Sequence, residues 1–182
     1  SLAGSLAIEN LMPLKKAHNL EFLDVSSLEK IRNLSALKNC TKLQYINFSN
    51  CKSLHSFDDL CMTTISDKYP SNSTHIYGAD EFSLVNLKVL TSLRSLPPIV
   101  SELTKVKIFG LDSLTSLDGL EKSQHLQKLV LYKTGLQDLS AIAQLTNIKE
   151  IEFDQCGEIT DASVLGELTQ LEKVTFTKCQ NL

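Results

Sequence analysis

Tryptophan is absent from these 182 residues, and aromatic side chains make up only 6% of them. Glycine and proline are scarce too, at 7 and 4, which leaves no composition for a linker. The chain therefore reads as one domain over 1–182. No apolar run approaches the roughly 18 residues of a membrane span. The opening stretch, SLAGSLAIEN, lacks the basic start and apolar core of a secretory leader. A basic surplus is also missing. The formal net charge is -3, which argues against nucleic acid as the partner, because phosphate binding needs an excess of cations. There is no phosphate-cradling glycine loop, no HExxH, no GxSxG and no CxxC pair. Nothing here predicts an enzyme or a cofactor, and the four histidines, His18, His55, His75 and His125, form no constellation.

Cysteine is present five times, at Cys40, Cys51, Cys61, Cys156 and Cys179. An odd number without close spacing does not make a disulfide framework. Reduced, buried thiols are the simpler expectation. The run HSFDDLC offers metal-ligand types, yet its spacing matches no tight zinc or calcium motif, so no metal site is expected.

Leucine is what the chain does have, 32 times. One residue type used that heavily points to one packing environment repeated many times. Three segments align near the end: LQKLVLYKTGL from Leu126, IKEIEFDQCGEI from Ile148 and LEKVTFTKCQNL from Leu171. Reading backwards adds LTKVKIFGLDSL from Leu103, FSLVNLKVLTSL from Phe82, LQYINFSNCKSL from Leu43 and LEFLDVSSLEKI from Leu20. Each carries an apolar residue at offsets 0, 3 and 5. Offset 8 holds Leu28, Cys51, Leu90, Leu111, Thr134, Cys156 and Cys179.

This pattern resembles the leucine-rich-repeat family, LxxLxLxx(N/C)xL at a period of about 20 to 29 residues. The short period and the second LxxLxxL stretch, as in Ile31, Leu34 and Leu37, are similar to the internalins. They are also similar to the leucine-rich regulatory subunit of a eukaryotic protein phosphatase. Cysteine at offset 8 leans toward cysteine-containing subtypes. The resemblance implies an α/β fold, a right-handed solenoid with a concave parallel β-sheet and 3₁₀, short-helical or extended outer segments. It also implies protein binding on the concave face. Strand physics fits: offsets 3 and 5 point one way, and stacked neighbours turn their apolar faces into a continuous core.

Two spacings are irregular. Leu43 to Phe82 spans 39 residues, and the excess reads as a loop inserted over 61–80, with a degenerate extra repeat as the alternative. Ile76 and Tyr77 would be that loop's natural anchors. In the next repeat Pro97 and Pro98 predict an extended outer segment, because proline removes donors. About seven strand repeats follow a partial N-terminal one, marked by Leu2, Leu6, Ile8, Leu11 and Leu14. No polar cap shows at either end, so a piece of a longer array is expected.

Leucines are scaffold here, and recognition falls to offsets 2, 4 and 6, which face away from the core. Phe22, Tyr45 and Leu84 would form an apolar ladder. Lys88, Lys105, Lys107 and Lys128 would form a basic patch around Phe109, Val130 and Tyr132. Glu150, Glu152 and Asp154 would form an acidic band one repeat later. Apolar anchors flanked by charge suit a protein partner. Cross-strand pairing in a solvated sheet accounts for the same residues without a partner. A scaffold segment stacking through uncapped ends, or the recognition arm of a larger enzyme, are the alternatives to a binding module. Compartment stays open: glycosylation sequons at Asn33, Asn39, Asn47 and Asn72 favour a secretory route, and free cysteines favour a reducing one.

Overall fold

The structure is a computed structural model and describes residues 8–62 and 81–182. Strand-forming segments recur where apolar residues alternate. They are β1 (Phe22–Asp24), β2 (Tyr45–Asn47), β3 (Glu81–Val85), β4 (Lys105–Phe109), β5 (Lys128–Tyr132), β6 (Glu150–Asp154) and β7 (Lys173–Thr177). Each pairs in parallel with the next within two groups, β1–β2 and β3–β4–β5–β6–β7. Pairing is in phase, so like offsets stack: Leu129 meets Ile151, and Leu131 meets Phe153. Alternation then does the sorting. In β5 (KLVLY) Leu129 and Leu131 are buried while Lys128, Val130 and Tyr132 stay partly exposed. The inward residues form one hydrophobic cluster that runs from Leu11 to Leu168.

Every helical segment among the described residues is 3₁₀, at Met12–Leu14, Ser35–Leu37, Pro98–Glu102, Leu120–Lys122, Ser140–Gln144 and Ser163–Glu167. A three-residue apolar period suits such turns. Asn33, Asp138 and Asp161 stand before three of them and accept the N–H two residues on, at 3.2, 2.8 and 2.7 Å. These are Asx turns, and they answer donors a helix start leaves open. The proline-bearing outer segment differs from the extended expectation. Pro97 is extended, but Pro98 heads a 3₁₀ turn. Proline is well placed at a first helical position, where its missing N–H would have had no partner anyway.

β3 overturns the frame read from Phe82. Leu84 pairs with Ile108, an offset-5 core position, so the third repeat starts three residues earlier than Phe82. A second periodic feature confirms that frame. Ser27, Asn50, Asn86, Gly110, Lys133, Gln155 and Lys178 all adopt left-handed backbone, with φ from 51° to 67°. All seven sit at offset 7 once Leu84 takes offset 5. In the first six the left-handed step turns the N–H toward the next repeat. Ser27 donates to Ser49 O at 2.8 Å, Asn50 to Val85 O at 3.0 Å and Gln155 to Thr177 O at 2.8 Å. A non-glycine residue pays about 1 kcal/mol or more for that geometry, and the bond to the neighbouring repeat is what it gains.

The two strand groups are bonded directly. Besides Asn50 to Val85, Phe57 N donates to Ser95 Oγ at 3.0 Å, and Ile99 N donates to Met62 O at 3.2 Å. The second turn of the stack thus rests on the third. Of the expected insertion over 61–80, only Cys61 and Met62 fall within the described residues; Ile76 and Tyr77 lie outside them.

Candidate partner-binding face

The outward face of the strands is not uniform. On β4 to β6, Lys105, Lys107, Phe109, Lys128, Tyr132, Glu150, Glu152 and Asp154 are all half-buried, raised on a rigid sheet. On β2 the equivalent positions are buried, with Tyr45 6% and Asn47 5% exposed. The expected apolar ladder of Phe22, Tyr45 and Leu84 is therefore corrected. Leu84 is 0% exposed and belongs to the core, because the third repeat is shifted by three positions. Phe22 and Tyr45 stack with ring centroids 4.3 Å apart and planes within 3°, and Phe22 is the exposed member.

Lys88 leaves the expected basic patch for the same reason. It lies beyond the end of β3, where its ammonium bonds Gly110 O at 3.1 Å and pairs with Asp112. Lys105 and Lys107 remain on the outward face of β4, and each already interacts within the protein. Lys128 faces Lys105 across one strand gap and Glu150 across the other. The basic patch and the acidic band meet there. Lys128 bonds Glu152 at 2.7 Å and Glu150 at 2.9 Å, and Lys173 pairs with Glu150 from the far side. Hydrogen bonds from Lys173, then Lys128, hold the Glu150 carboxyl down to about 2. Glu152, then Glu150, push the Lys128 ammonium upward. Charges at offsets 2 and 4 on three adjacent strands thus cross-brace the sheet.

Between these charges lie two rings. Phe109 and Tyr132 are paired residues of β4 and β5, with centroids 6.2 Å apart and planes tilted by 49°. Gln155 holds the second ring by donating to the Tyr132 hydroxyl at 3.0 Å. Sequence reasoning missed Gln155, which is itself one of the left-handed residues at offset 7.

The offset-8 thiols face inward. Cys51 donates to Val25 O at 3.2 Å, Cys156 to Leu131 O at 3.6 Å and Cys179 to Phe153 O at 3.8 Å. In each case the acceptor is the offset-5 carbonyl of the preceding repeat, so the thiol ties neighbouring turns together. All five cysteines are free, and Cys61 is the exposed one. Among the described residues no group of His, Cys, Asp and Glu side chains is arranged to hold a metal ion. No helix there is long and apolar enough to cross a membrane. Of the sequon asparagines, Asn33 and Asn39 are exposed, Asn47 is buried and accepts from Ser49 N at 3.0 Å, and Asn72 lies outside the described residues.

A phased parallel sheet with 3₁₀ returns is the architecture the repeat spacing called for. Residues 77–182 match, in 6 copies, the family described as the BspA type leucine rich repeat region. This chain belongs to the leucine-rich-repeat family. Similar leucine-rich-repeat relatives include the Disease resistance protein RPS4B of Arabidopsis thaliana, 30% identical over 122 residues. That alignment covers 62% of this chain and 10% of the relative. The Disease resistance protein RML1A of the same plant is 28% identical over 166 residues, 86% of this chain and 16% of that protein. The chain thus spans a small part of the length of the curated relatives it matches. Among solved structures, internalin C2 of Listeria monocytogenes overlays with a TM-score of 0.46 at 22% identity, covering 96% of this chain and 79% of that one.

Proposed function

We propose that this chain is a non-catalytic protein-binding module whose partner lies against the outward strand face of β4, β5 and β6. Leucine-rich-repeat arrays use their sheets in this way, and one observation supports this stretch of the sheet. Phe109 and Tyr132 form a half-exposed aromatic pair with charges of opposite sign on either side. Rings on a rigid sheet give contact area at little entropic cost, and mixed charge gives register. Lys105, Lys107, Glu150, Glu152 and Asp154 line the border, with Lys128 at the centre as a brace. Phe22 and Tyr45 offer a second, smaller aromatic step at the N-terminal end.

The test uses a double variant, Phe109→Ser with Tyr132→Ser, whose side chains are not part of the core cluster. Affinity capture from extracts of the source cells, followed by a direct binding measurement with the purified partner, should show a loss of about tenfold or more. Equal affinity at an unchanged melting temperature moves the site off this face. Reversing Lys128 is a poor choice of test, because it also removes the brace between Glu150 and Glu152.

A further inference from the structure

Of the three carboxylates on β6, two are neutralised and one is not. Glu150 and Glu152 share Lys128 and Lys173. Asp154 has no cation partner among the described residues, although it sits on the same strand. Its Oδ1 is shut off from solvent and accepts no hydrogen bond. The reason is positional. Lysine occupies offset 2 on both neighbouring strands, whereas offset 6 is Tyr132 on one side and Thr177 on the other. One row across the sheet therefore reads Phe109, Tyr132, Asp154, Thr177. Neither ring carries a formal positive charge to pair with the carboxylate, and the face of an aromatic ring attracts a cation.

We propose that the row formed by Phe109, Tyr132 and Asp154 is a receptor for an arginine side chain of the partner, a reading that rests on the binding face proposed above. A guanidinium is the cation that uses all three residues at once. The aliphatic stem of the arginine lies against Phe109, its guanidinium plane against Tyr132, and one N–H is donated to the open oxygen of the Asp154 carboxylate. An ammonium satisfies the charge but stacks poorly. The site is organised in advance, because Gln155 fixes the Tyr132 hydroxyl at 3.0 Å and β4 to β6 hold the row in register. Preorganisation of this kind lowers the ordering cost of binding.

The experiment pans a random linear peptide library on phage against the full chain, counter-selecting on the Phe109→Ser, Tyr132→Ser double variant. An enriched peptide is then synthesised in two forms, with arginine and with citrulline, its neutral isostere. Both are titrated by calorimetry into wild type, Asp154→Asn and Asp154→Ser, after each variant is shown to melt as wild type does. The expected result is enrichment of arginine and a roughly tenfold preference for the arginine form. Both Asp154 variants lose that preference, while their affinity for the citrulline form is unchanged. Enriched peptides without arginine, or a preference that survives at Asp154→Asn and Asp154→Ser, overturn the arginine receptor and leave the binding face standing. A library that yields nothing sensitive to Phe109 and Tyr132 overturns both.

Discussion

The carboxamide nitrogen of Asn86 donates to the carboxamide oxygen of Asn50 at 2.7 Å, bridging the second and third repeats where the sequence spacing is least regular. Both residues are left-handed, with φ of 53° and 61°. Asparagine tolerates that region better than most residues, and here it also supplies a bond between repeats.

Substitution of Asn86 should separate those two roles. Asn86→Ala removes the bond and places a Cβ-bearing residue without local compensation at positive φ, for a loss of about 2 kcal/mol. Asn86→Gly loses the bond but relieves the backbone, so its cost should be about 1 kcal/mol or less. Urea denaturation of the two variants beside wild type measures the difference. Equal losses would show that backbone conformation is irrelevant at this position.

Gly119 is another place where the backbone dictates the residue. Its φ is 105°, and a Cβ there would stand 2.3 Å from both C and O of Leu93, backbone atoms that cannot step aside. Gly119→Ala should destabilise the fold by about 3 kcal/mol or more. Gly157, where an added Cβ meets nothing within 4 Å, is the control. Gly157→Ala should be neutral or stabilising by about 0.5 kcal/mol. Thermal melting of the pair tests the contrast.

The bracing of Glu150 should be visible in acid. Its carboxyl titrates near 2 in the folded chain, against 4.5 when unconstrained, chiefly through the hydrogen bond from Lys173 and then that from Lys128. A group with a depressed folded value stabilises the fold above its unfolded value and loses that contribution as pH falls. Melting temperature should therefore decline between about pH 4.5 and pH 2. In a Lys128→Met, Lys173→Met double variant this part of the decline should flatten, and in wild type it should shrink in high salt. An unaltered acid profile in the double variant would remove Glu150 as its source.

Thiol reactivity should follow burial. Cys61 is exposed, Cys179 partly so, and Cys40, Cys51 and Cys156 are buried. Burial pushes the Cys51 thiol up to about 12. A disulfide reagent at pH 8 should label Cys61 at once and Cys179 slowly, leaving the other three until the chain unfolds. Cys51→Ala should cost about 1–2 kcal/mol, because Val25 O loses a donor in the core. Rapid native labelling of Cys51 would contradict the packing described.

Much of this molecule is legible in its sequence. Six of seven strand frames came directly from the leucine spacing, since a buried side chain must recur at one offset in every turn. The candidate face followed by alternation, and Lys105, Lys107, Phe109, Lys128, Tyr132, Glu150, Glu152 and Asp154 all lie on it. The seventh frame failed for a physical reason. FSLVNLKVL holds apolar residues at several spacings, so Phe82 and Leu84 satisfy two registers about equally. Only pairing with Ile108 and the left-handed turn at Asn86 separate them. With that shift Leu84 moved into the core, and Lys88 moved off the face.

Chain order and hydrophobic period thus determined by themselves that this protein is a leucine-rich-repeat stack, because local alternation needs only neighbours of the same kind. Which charges remain unpaired was a different matter. Lysine and glutamate composition is the same whether Lys128 meets a ligand or meets Glu150 and Glu152. The stacking of β5, β6 and β7 decided that, by bringing residues some 22 positions apart to hydrogen-bond distance. The same stacking left Asp154 beside Tyr132 and without a lysine among the described residues.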